Sequence, residues 1–271
     1  MAVGDIGLGR EVNYQIITNK IQPFINVEDL FLPTELVFAN LEGPLIESCP
    51  INRQGFTFCG LPDNASLLDR ANIRFISLAN NHILNYGSEG LSETFNTLDK
   101  YNIYYSENNN ILYKTMKGTT FALLSFDDIV RRVDIDTFSE IIRTAKHNAD
   151  FVIVSFHWGE EYQPLPNQRQ KDLANIAAEN GVNLIIGHHP HVLQTSEWID
   201  NTLVFYSLGN FLFDQFWSLE TRIGAIAKIE ISDGQISKVE IIPTILENNF
   251  QIDLINDQSK LDIIKHVTPQ N

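Results

Sequence analysis

The sequence predicts an α/β fold with largely parallel strands, and three observations support this prediction. Apolar, β-branched runs that are typical of buried strands alternate with helical stretches along the 271-residue chain, as expected for parallel strands joined by crossover helices. Three of these runs, in residues 151–162, 181–194 and 201–211, each end abruptly in a polar cluster. Beyond them, a turn at Asp233-Gly234 between two strand-like runs predicts a β-hairpin.

The remaining elements follow from the same signals in chain order. A short first strand ends in the glycine-rich turn that begins at Gly4, and Ser88 can cap the helix that follows the third strand. Further strands are expected at 35–40, at 73–78 and within 103–126. Helical stretches are predicted at 12–30 with a break at Pro23, 64–71, 88–101, 136–145 and 167–179. We expect one domain over 1–245, with 246–271 forming a tail on or beside it.

Composition limits the classes of function. The formal net charge of −15 argues against nucleic acid as a partner, because phosphate binding needs clustered Lys and Arg. No apolar stretch approaches the length of a membrane span, and no signal peptide is visible. The chain therefore reads as cytoplasmic, with the extracellular face of the membrane as the alternative if an N-terminal anchor is missing. Cys49 and Cys59 fit a local disulfide or two free thiols equally well.

The polar clusters at the strand ends predict a metal site. Groups at the carboxyl ends of parallel strands converge on one crevice, so His157, His189, His191 and Asn210 are expected to lie close together. Histidines that cluster at strand ends are common metal ligands. A set of solvated loop histidines is the alternative interpretation.

Earlier strands end in a similar way, with Asp5, Glu42 and the pair Asn81-His82. Taken alone, Asp5 fits a local turn, and the pair fits a left-handed turn with a capping Asn. Combined with the histidines, these residues form an oxygen and nitrogen donor set without thiolates. Such a set suits two divalent ions of Mn, Fe or Zn better than one structural zinc. A metal pair lowers the pKa of a bound water and clamps the attacking and leaving oxygens.

Six motifs in this order resemble those of a known family. They are Gly4-Asp5, Asn40-Leu41-Glu42-Gly43-Pro44, Ala79-Asn80-Asn81-His82, His157-Trp158-Gly159 with Glu161, Gly187-His188-His189-Pro190-His191 and Ser207-Leu208-Gly209-Asn210-Phe211. Together they look like the CapA family of poly-γ-glutamate capsule biosynthesis proteins, also called PgsA, within the calcineurin-like metallophosphoesterase superfamily. The resemblance extends to about Pro243. It implies a two-sheet αββα sandwich with a dinuclear metal site at one edge, to which the predicted C-terminal hairpin is added.

The resemblance also implies the ligands of the two metals. One metal would be bound by Asp5 and His191, the other by Asn81, His157 and His189. Glu42 resembles the carboxylate that bridges both ions.

Other residues near the ligands receive supporting roles from the same resemblance. His82 resembles the histidine that acts as general acid on the leaving group or orients the attacked group. Asn40, His188 and Asn210 are expected to hold the ligands and loops in place.

Two positions depart from the family pattern. The superfamily usually has a histidine two residues after the first aspartate, where this chain has Gly7, so the first metal would have fewer protein ligands. CapA-like proteins often carry Asp three residues after the general-acid histidine, where this chain has Asn85.

Three functions remain open at this point. The first is a metal-dependent hydrolase or transferase that acts on poly-γ-glutamate or a similar anionic γ-linked amide, within a capsule-synthesis complex. The second is a metal-dependent phosphoesterase, with Arg10 and Arg53 as candidate phosphate contacts. The third is a non-catalytic capsule-assembly or polymer-binding module. Asp127 and Asp128, which follow a predicted strand, are interpreted as a solvated turn.

Overall fold

Two β-sheets pack face to face, and helices cover both outer faces. The computed structural model describes residues 1–256 and 259–269. The strands are β1 (Ala2–Ile6), β2 (Phe38–Leu41), β3 (Phe75–Ser77), β4 (Tyr104–Ser106), β5 (Leu112–Met116), β6 (Thr119–Asp127), β7 (Phe151–His157), β8 (Leu184–His188), β9 (Ser196–Ile199), β10 (Thr202–Phe205), β11 (Asn210–Leu212), β12 (Ile223–Ser232), β13 (Gln235–Leu246) and β14 (Ile252–Leu254). The helices are α1 (Arg10–Asn19), α2 (Glu28–Phe31), α3 (Ala65–Arg70), α4 (Gly87–Lys100), α5 (Ile135–Asn148), α6 (Gln168–Glu179) and α7 (Ser259–Val267).

The first sheet has the order β14-β13-β12-β1-β2-β3-β4, with β11 pairing beside β1. Strands β1 to β4 are parallel to one another, and β12 to β14 continue the sheet as an antiparallel meander. The predicted hairpin is therefore present as β12 and β13. Because β1, β2 and β3 are parallel, their carboxyl ends share one edge of the sheet.

The second sheet has the order β5-β6-β7-β8-β10-β9. Its central strands β6, β7, β8 and β10 are parallel. They are apolar on both faces, as expected for strands that are covered on both sides. The register places His157 beside Asp127 on one side and beside His188 on the other, so the predicted histidines end two neighbouring strands.

Three apolar layers hold the sandwich together. The middle layer lies between the sheets and includes Phe38 and Phe75 from the first sheet and Phe151 and Phe205 from the second. The two outer layers lie under the helices of the first and the second sheet. Each fully buried side chain of this size contributes roughly 1.5–3 kcal/mol. The arrangement is the αββα sandwich that the family resemblance implies.

Three local predictions differ from the structure. The stretch 12–30 is helical only in α1, which ends at Asn19, and in the single turn of α2. The run at 201–211 is not one strand, because the chain leaves the second sheet after β10 and enters the first sheet as β11. Gly209 makes this crossing possible, since its φ is +67° and a Cβ there would lie 2.7 Å from the carbonyl oxygen of Ile223. Ser88 does not cap α4, which begins at Gly87 without a side-chain cap.

The C-terminal segment adds an edge strand and a helix to the first sheet. Strand β14 pairs with β13, and Val267 of α7 is buried in the layer between the sheets. Residues 257–258 and 270–271 of the predicted tail lie outside the described residues. Within the described residues, every helix is too short or too polar to cross a membrane.

Candidate metal centre

The predicted site residues meet at the edge where the parallel strands of both sheets end. Asp5 lies in β1, Glu42 follows β2, and Asn81 and His82 follow β3. From the second sheet, His157 ends β7, and His189 and His191 follow β8. Hydrogen bonds and ion-pair contacts link all of them, together with Asn40, His188 and Asn210, into one network.

Three neutral donors, Asn81, His157 and His189, form what we call the neutral half of the centre. The Nε2 atom of His157 lies 3.0 Å from Oδ1 of Asn81 and 3.1 Å from Nδ1 of His189. Burial holds the pKa of His157 well below its usual range and lowers that of His189 to about 4, with neighbouring histidines adding to both effects. Both rings are therefore neutral near pH 7, which is the form that binds metals.

Asp5, Glu42 and His191 form the acidic half. Oδ1 of Asp5 accepts a hydrogen bond from the Asn40 amide at 2.9 Å, and Oδ2 lies 3.4 Å from Nδ1 of His191. Nε2 of His191 is 3.7 Å from Oε1 of Glu42, so this ring faces both carboxylates. His188 completes the contacts of Asp5 through Nδ1 at 3.0 Å.

The charged groups of the acidic half shift one another's pKa values. Burial raises the pKa of Asp5, but hydrogen bonds from His188 and His191 bring it well below its usual range. Burial raises the pKa of Glu42 to about 8, against the attraction of His191. Burial lowers the pKa of His191, but Glu42 and Asp5 raise it overall to about 9.

Several buried polar atoms at this edge lack a partner among the described residues, as expected if they face a cation. They are Oε1 of Glu42, Nδ1 of His157 and Nε2 of His188. An unpartnered buried polar atom costs about 1–3 kcal/mol. Two groups of three residues have ligand atoms that lie within 4.8 Å of one another inside each group. One group is Asp5, Glu42 and His157, and the other is Glu161, His189 and His191. This oxygen and nitrogen donor set fits divalent transition metals.

The backbone around Pro190 presents both histidines to the centre. His189 and His191 have φ values of +94° and +58°, which are uncommon for residues with a side chain. Such conformations cost of order 1–3 kcal/mol each and concentrate at functional sites. The amide of His189 donates to Oδ2 of Asp5 at 3.2 Å, and Oδ1 of Asn210 lies 2.9 Å from Nδ1 of His191.

The structure explains the glycine at position 7. A Cβ at Gly7 would lie 2.9 Å from the ring of Phe213, so this position has no room for a histidine. The Phe213 ring instead packs against His191, with ring centroids 5.0 Å apart. An aromatic side chain therefore fills the space where the superfamily usually has a metal ligand.

Asn85, the second departure from the family pattern, contacts the predicted general acid. Its Oδ1 lies 3.1 Å from Nδ1 of His82 and accepts the backbone N–H of Phe58 at 2.7 Å. Burial lowers the pKa of His82, and the hydrogen bond with Asn85 opposes this. Nε2 of His82 points to the centre, 3.9 Å from Oε1 of Glu42.

Glu161, which belongs to the motif after His157, is a further candidate donor. This exposed carboxylate is close enough to His189 and His191 to share an ion with them. It lies in a loop, four residues after a strand end, so the strand-end criterion did not select it. The motif spacing was the only available signal.

The interpretation of Asp127 and Asp128 as a solvated turn is wrong. Both are buried, at 3% and 4% exposure. Oδ1 of Asp127 accepts backbone N–H groups from Ile129 and Val130. Asp128 forms a two-point ion pair with Arg169 at 2.8 and 3.0 Å, and its backbone N–H donates to the carbonyl of His157 at 2.9 Å. These carboxylates stabilise the strand end that carries His157.

The two candidate phosphate contacts are engaged by carboxylates. Arg10 forms an ion pair with Asp214, and Arg53 pairs with Glu11 at 2.5 Å. Their guanidinium groups therefore already have anionic partners. Cys49 and Cys59, left open by the sequence, form a disulfide.

Comparison with known sequences identifies similar proteins. The model of the family described as bacterial capsule synthesis protein PGA_cap matches residues 1–215. The PGA biosynthesis protein CapA of Bacillus subtilis (strain 168) is 34% identical, over 89% of this chain and 70% of the relative. The capsule biosynthesis protein CapA of Bacillus anthracis is 30% identical, over 89% of this chain and 66% of that relative.

Comparison with solved structures identifies similar folds. A novel phosphatase from Mycoplasma pneumoniae superposes with a TM-score of 0.61 at 14% identity, over 96% of this chain and 95% of that chain. At this level of identity the likeness shows the fold alone, which is that of the calcineurin-like phosphatases. The family match covers most of the chain, and both Bacillus relatives align along nearly all of it. The chain therefore belongs to the bacterial capsule synthesis protein family PGA_cap, with a calcineurin-like metallophosphoesterase fold.

Proposed function

We propose that this protein is a dinuclear-metal-dependent hydrolase that cleaves γ-linked amide bonds during the synthesis or turnover of a poly-γ-glutamate capsule. The observation that carries this proposal is the convergence of neutral oxygen and nitrogen donors, with Nε2 of His157 about equally close to Asn81 and His189. Membership of the capsule synthesis family supports the substrate class.

The donors divide between two ions in this proposal. Asp5 and His191 would bind one ion, Asn81, His157 and His189 the other, and Glu42 would lie between them. Divalent ions of Mn, Fe or Zn at these positions would polarise a carbonyl or phosphoryl oxygen and lower the pKa of a water. Asn40 and His188 hold Asp5 through hydrogen bonds, and Asn210 holds His191, so the ligands keep their orientation.

His82 moves the proton in the proposed reaction. Because Oδ1 of Asn85 can only accept, the hydrogen bond at 3.1 Å places a proton on Nδ1 of His82 and leaves the Nε2 lone pair facing the centre. The neutral ring can take up at Nε2 the proton that the attacking water releases and deliver it to the leaving nitrogen, while the water's hydroxyl stays on the carbonyl carbon. An amide needs this delivery, since its nitrogen leaves as an amine.

Phosphoester hydrolysis fits the site less well. The chemistry of a metal pair also suits phosphoesters, and the fold is shared with phosphatases. However, Arg10 and Arg53 are paired with Asp214 and Glu11, so a phosphate would have to compete with these carboxylates. An amide substrate does not need such a contact.

The disulfide supports a location outside the reducing cytosol. Disulfides persist in oxidising compartments and are rare in the cytosol, where thiols are kept reduced. We therefore favour the extracellular face of the membrane over the cytoplasm as the place where this protein acts, as part of capsule synthesis.

Elemental analysis combined with activity assays tests the proposed function. We expect about two transition-metal equivalents in the wild-type protein and loss of both in the His189→Ala, His191→Ala double variant. His147→Ala is the matched control, because this exposed histidine lies on α5, away from the centre. The metal-loaded protein should cleave a γ-glutamyl polymer, and His82→Ala should reduce this activity by about 100-fold or more.

Other outcomes would reject the proposal in different ways. Cleavage of a chromogenic phosphodiester without cleavage of the polymer would identify a phosphoesterase. Polymer binding that His82→Ala leaves unchanged, without hydrolysis by any variant, would identify a non-catalytic binding module. A protein that binds no Mn or Zn even at excess metal would exclude the hydrolase.

A further inference from the structure

A loop closed by a disulfide lies directly over His82. The loop extends from Leu45 to Gly60, which form a bridge at its base, and Cys49 and Cys59 are joined within it. The two cysteines are buried together with Ile46 in a small apolar cluster of their own. The disulfide therefore fixes the last part of the loop, including the residue next to Cys59.

That residue is Phe58, whose ring stacks on the imidazole of His82. The ring centroids are 3.9 Å apart and the ring planes differ by 27°. The guanidinium of Arg10 lies 4.4 Å from the centroid of the same phenyl ring, and Phe213 contacts its edge. Phe58 is only 5% exposed, so its position is determined by these contacts.

The backbone of Phe58 reaches His82 by a second route. Its N–H donates to Oδ1 of Asn85 at 2.7 Å, and the same oxygen lies 3.1 Å from Nδ1 of His82. A backbone N–H is always a donor, so it fixes which end of the Asn85 amide faces the histidine. Phe58 thus determines both the plane of the imidazole and the nitrogen that carries its proton.

We propose that Phe58 is a positioning residue for His82 and that the Cys49–Cys59 disulfide holds it in place. Phe58 acts through the imidazole and needs no contact with the substrate. The proposal rests on the hydrolase function proposed above, in which His82 transfers a proton. It makes catalysis dependent on a disulfide that lies outside the set of metal donors.

Kinetics of loop variants test this role. Phe58→Leu keeps an apolar side chain but removes the stacked ring, and it should lower kcat by about 10-fold with little change in KM, because proton transfer depends on geometry. Phe58→Tyr keeps the ring and should retain most of the activity. Phe56→Leu is the control, since Phe56 lies in the same loop but is 87% exposed.

Removal of the disulfide provides an independent variant. The Cys49→Ala, Cys59→Ala double variant should lower kcat in the same way, to a value between those of the wild type and Phe58→Leu. Neither change should have a further effect in a His82→Ala background, because both act through that ring. A loss of kcat that persists in the His82→Ala background would overturn the proposal, as would equal kcat values for Phe58→Leu and Phe56→Leu.

Proton NMR of the imidazole separates this proposal from the proposed function. A phenyl ring stacked on His82 shifts its ring protons upfield, and the signals are assigned by their absence in His82→Ala. If the wild type hydrolyses no substrate but Phe58→Leu and the disulfide variant move these signals, the hydrolase function fails and the positioning role stands. If these signals match those of an exposed histidine in the wild type, the positioning role fails whatever the activity.

Discussion

The two halves of the candidate metal centre differ in the hydrogen-bond partners of their buried polar side chains. In the acidic half, Asp5 and His191 have hydrogen-bond partners within the protein. In the neutral half, Asn81, His157 and His189 face one another with few protons to share. The acidic half is therefore satisfied within the protein except at Oε1 of Glu42, whereas the side chains of the neutral half have only one another as partners among the described residues. Metal binding should stabilise the neutral half more.

The largest expected effect is a difference in how the two halves respond to pH in the metal-free protein. The folded-state pKa of His191 is raised from 6.5 to about 9, so its stabilising contribution is complete below pH 6.5 and is lost as the pH rises through 9. The folded-state pKa of His189 is lowered from 6.5 to about 4, so stability is lost as the pH falls from 6.5 through 4. We expect changes of up to about 3 kcal/mol on each side.

Denaturant unfolding in the presence of a chelator measures this profile. His191→Gln should reduce the alkaline-side loss, and His189→Gln should reduce the acid-side loss in part, because the pKa of His157 is lowered as well. The pKa of Glu42 is also raised, from 4.5 to about 8, so its contribution is lost as the pH rises from 4.5 through 8. This adds to the loss above neutral pH and opposes the acid-side loss between pH 4.5 and 6.5. Saturating Mn or Zn should prevent much of the acid-side loss in the free energy of unfolding. This protection should end at the pH at which protons displace the metal from its ligands. If neither variant changed how the free energy of unfolding depends on pH, the division into an acidic and a neutral half would be wrong.

A smaller effect is expected from the ion pair behind the neutral half. Arg169→Met leaves Asp128 buried without its two-point partner. It should lower the free energy of unfolding by about 2 kcal/mol, less than for a fully buried pair because the Arg169 side chain is 28% exposed. Since Asp128 also donates its N–H to the carbonyl of His157, metal affinity in the neutral half should fall with stability.

Arg132 offers the matched control for this prediction. It contacts the same carboxylate of Asp128 at 3.1 Å, but its side chain is 73% exposed. Arg132→Met should change the free energy of unfolding by less than about 0.5 kcal/mol. Equal effects of the two substitutions, measured by urea unfolding and metal titration, would show that Arg169 has no special role behind His157.

The sequence was sufficient to locate the donors at strand ends. Periodic apolar runs marked β7 and β8, and the polar residues that follow them, such as His157 and His189, were found by their position alone. Such signals are local, since each strand and its terminal cluster are contiguous in the chain. The parallel arrangement then predicted that distant clusters meet at one edge. The roles of these residues as ligands stay predictions.

The features that sequence reasoning missed depend on contacts between distant segments. Burial of Asp128 depends on Arg169, 41 residues away, and nothing near Asp128 indicates it. Phe58 contacts His82 only because a loop folds back over the centre. The change of sheet at Gly209 also depends on a neighbouring backbone, that of Ile223. Tertiary packing, which no local pattern records, determines all three.

The smallest effect should come from the crowded position beside the acidic half. Gly7→Ala places a Cβ 2.9 Å from the Phe213 ring, so the ring must shift toward His191, at a cost of about 1 kcal/mol in the free energy of unfolding. Because Phe213 packs on His191, the ion that we propose at Asp5 and His191 should be the one that weakens. The neutral half should keep its metal, as measured by competition with a chelator. Phe213→Leu in the same chain should relieve the crowding and restore metal content, although the loss of the buried ring keeps the free energy of unfolding low. If Gly7→Ala lowered the affinity for both ions equally, the two halves would act as one unit. The Phe213 ring would then not be what limits metal affinity in the acidic half.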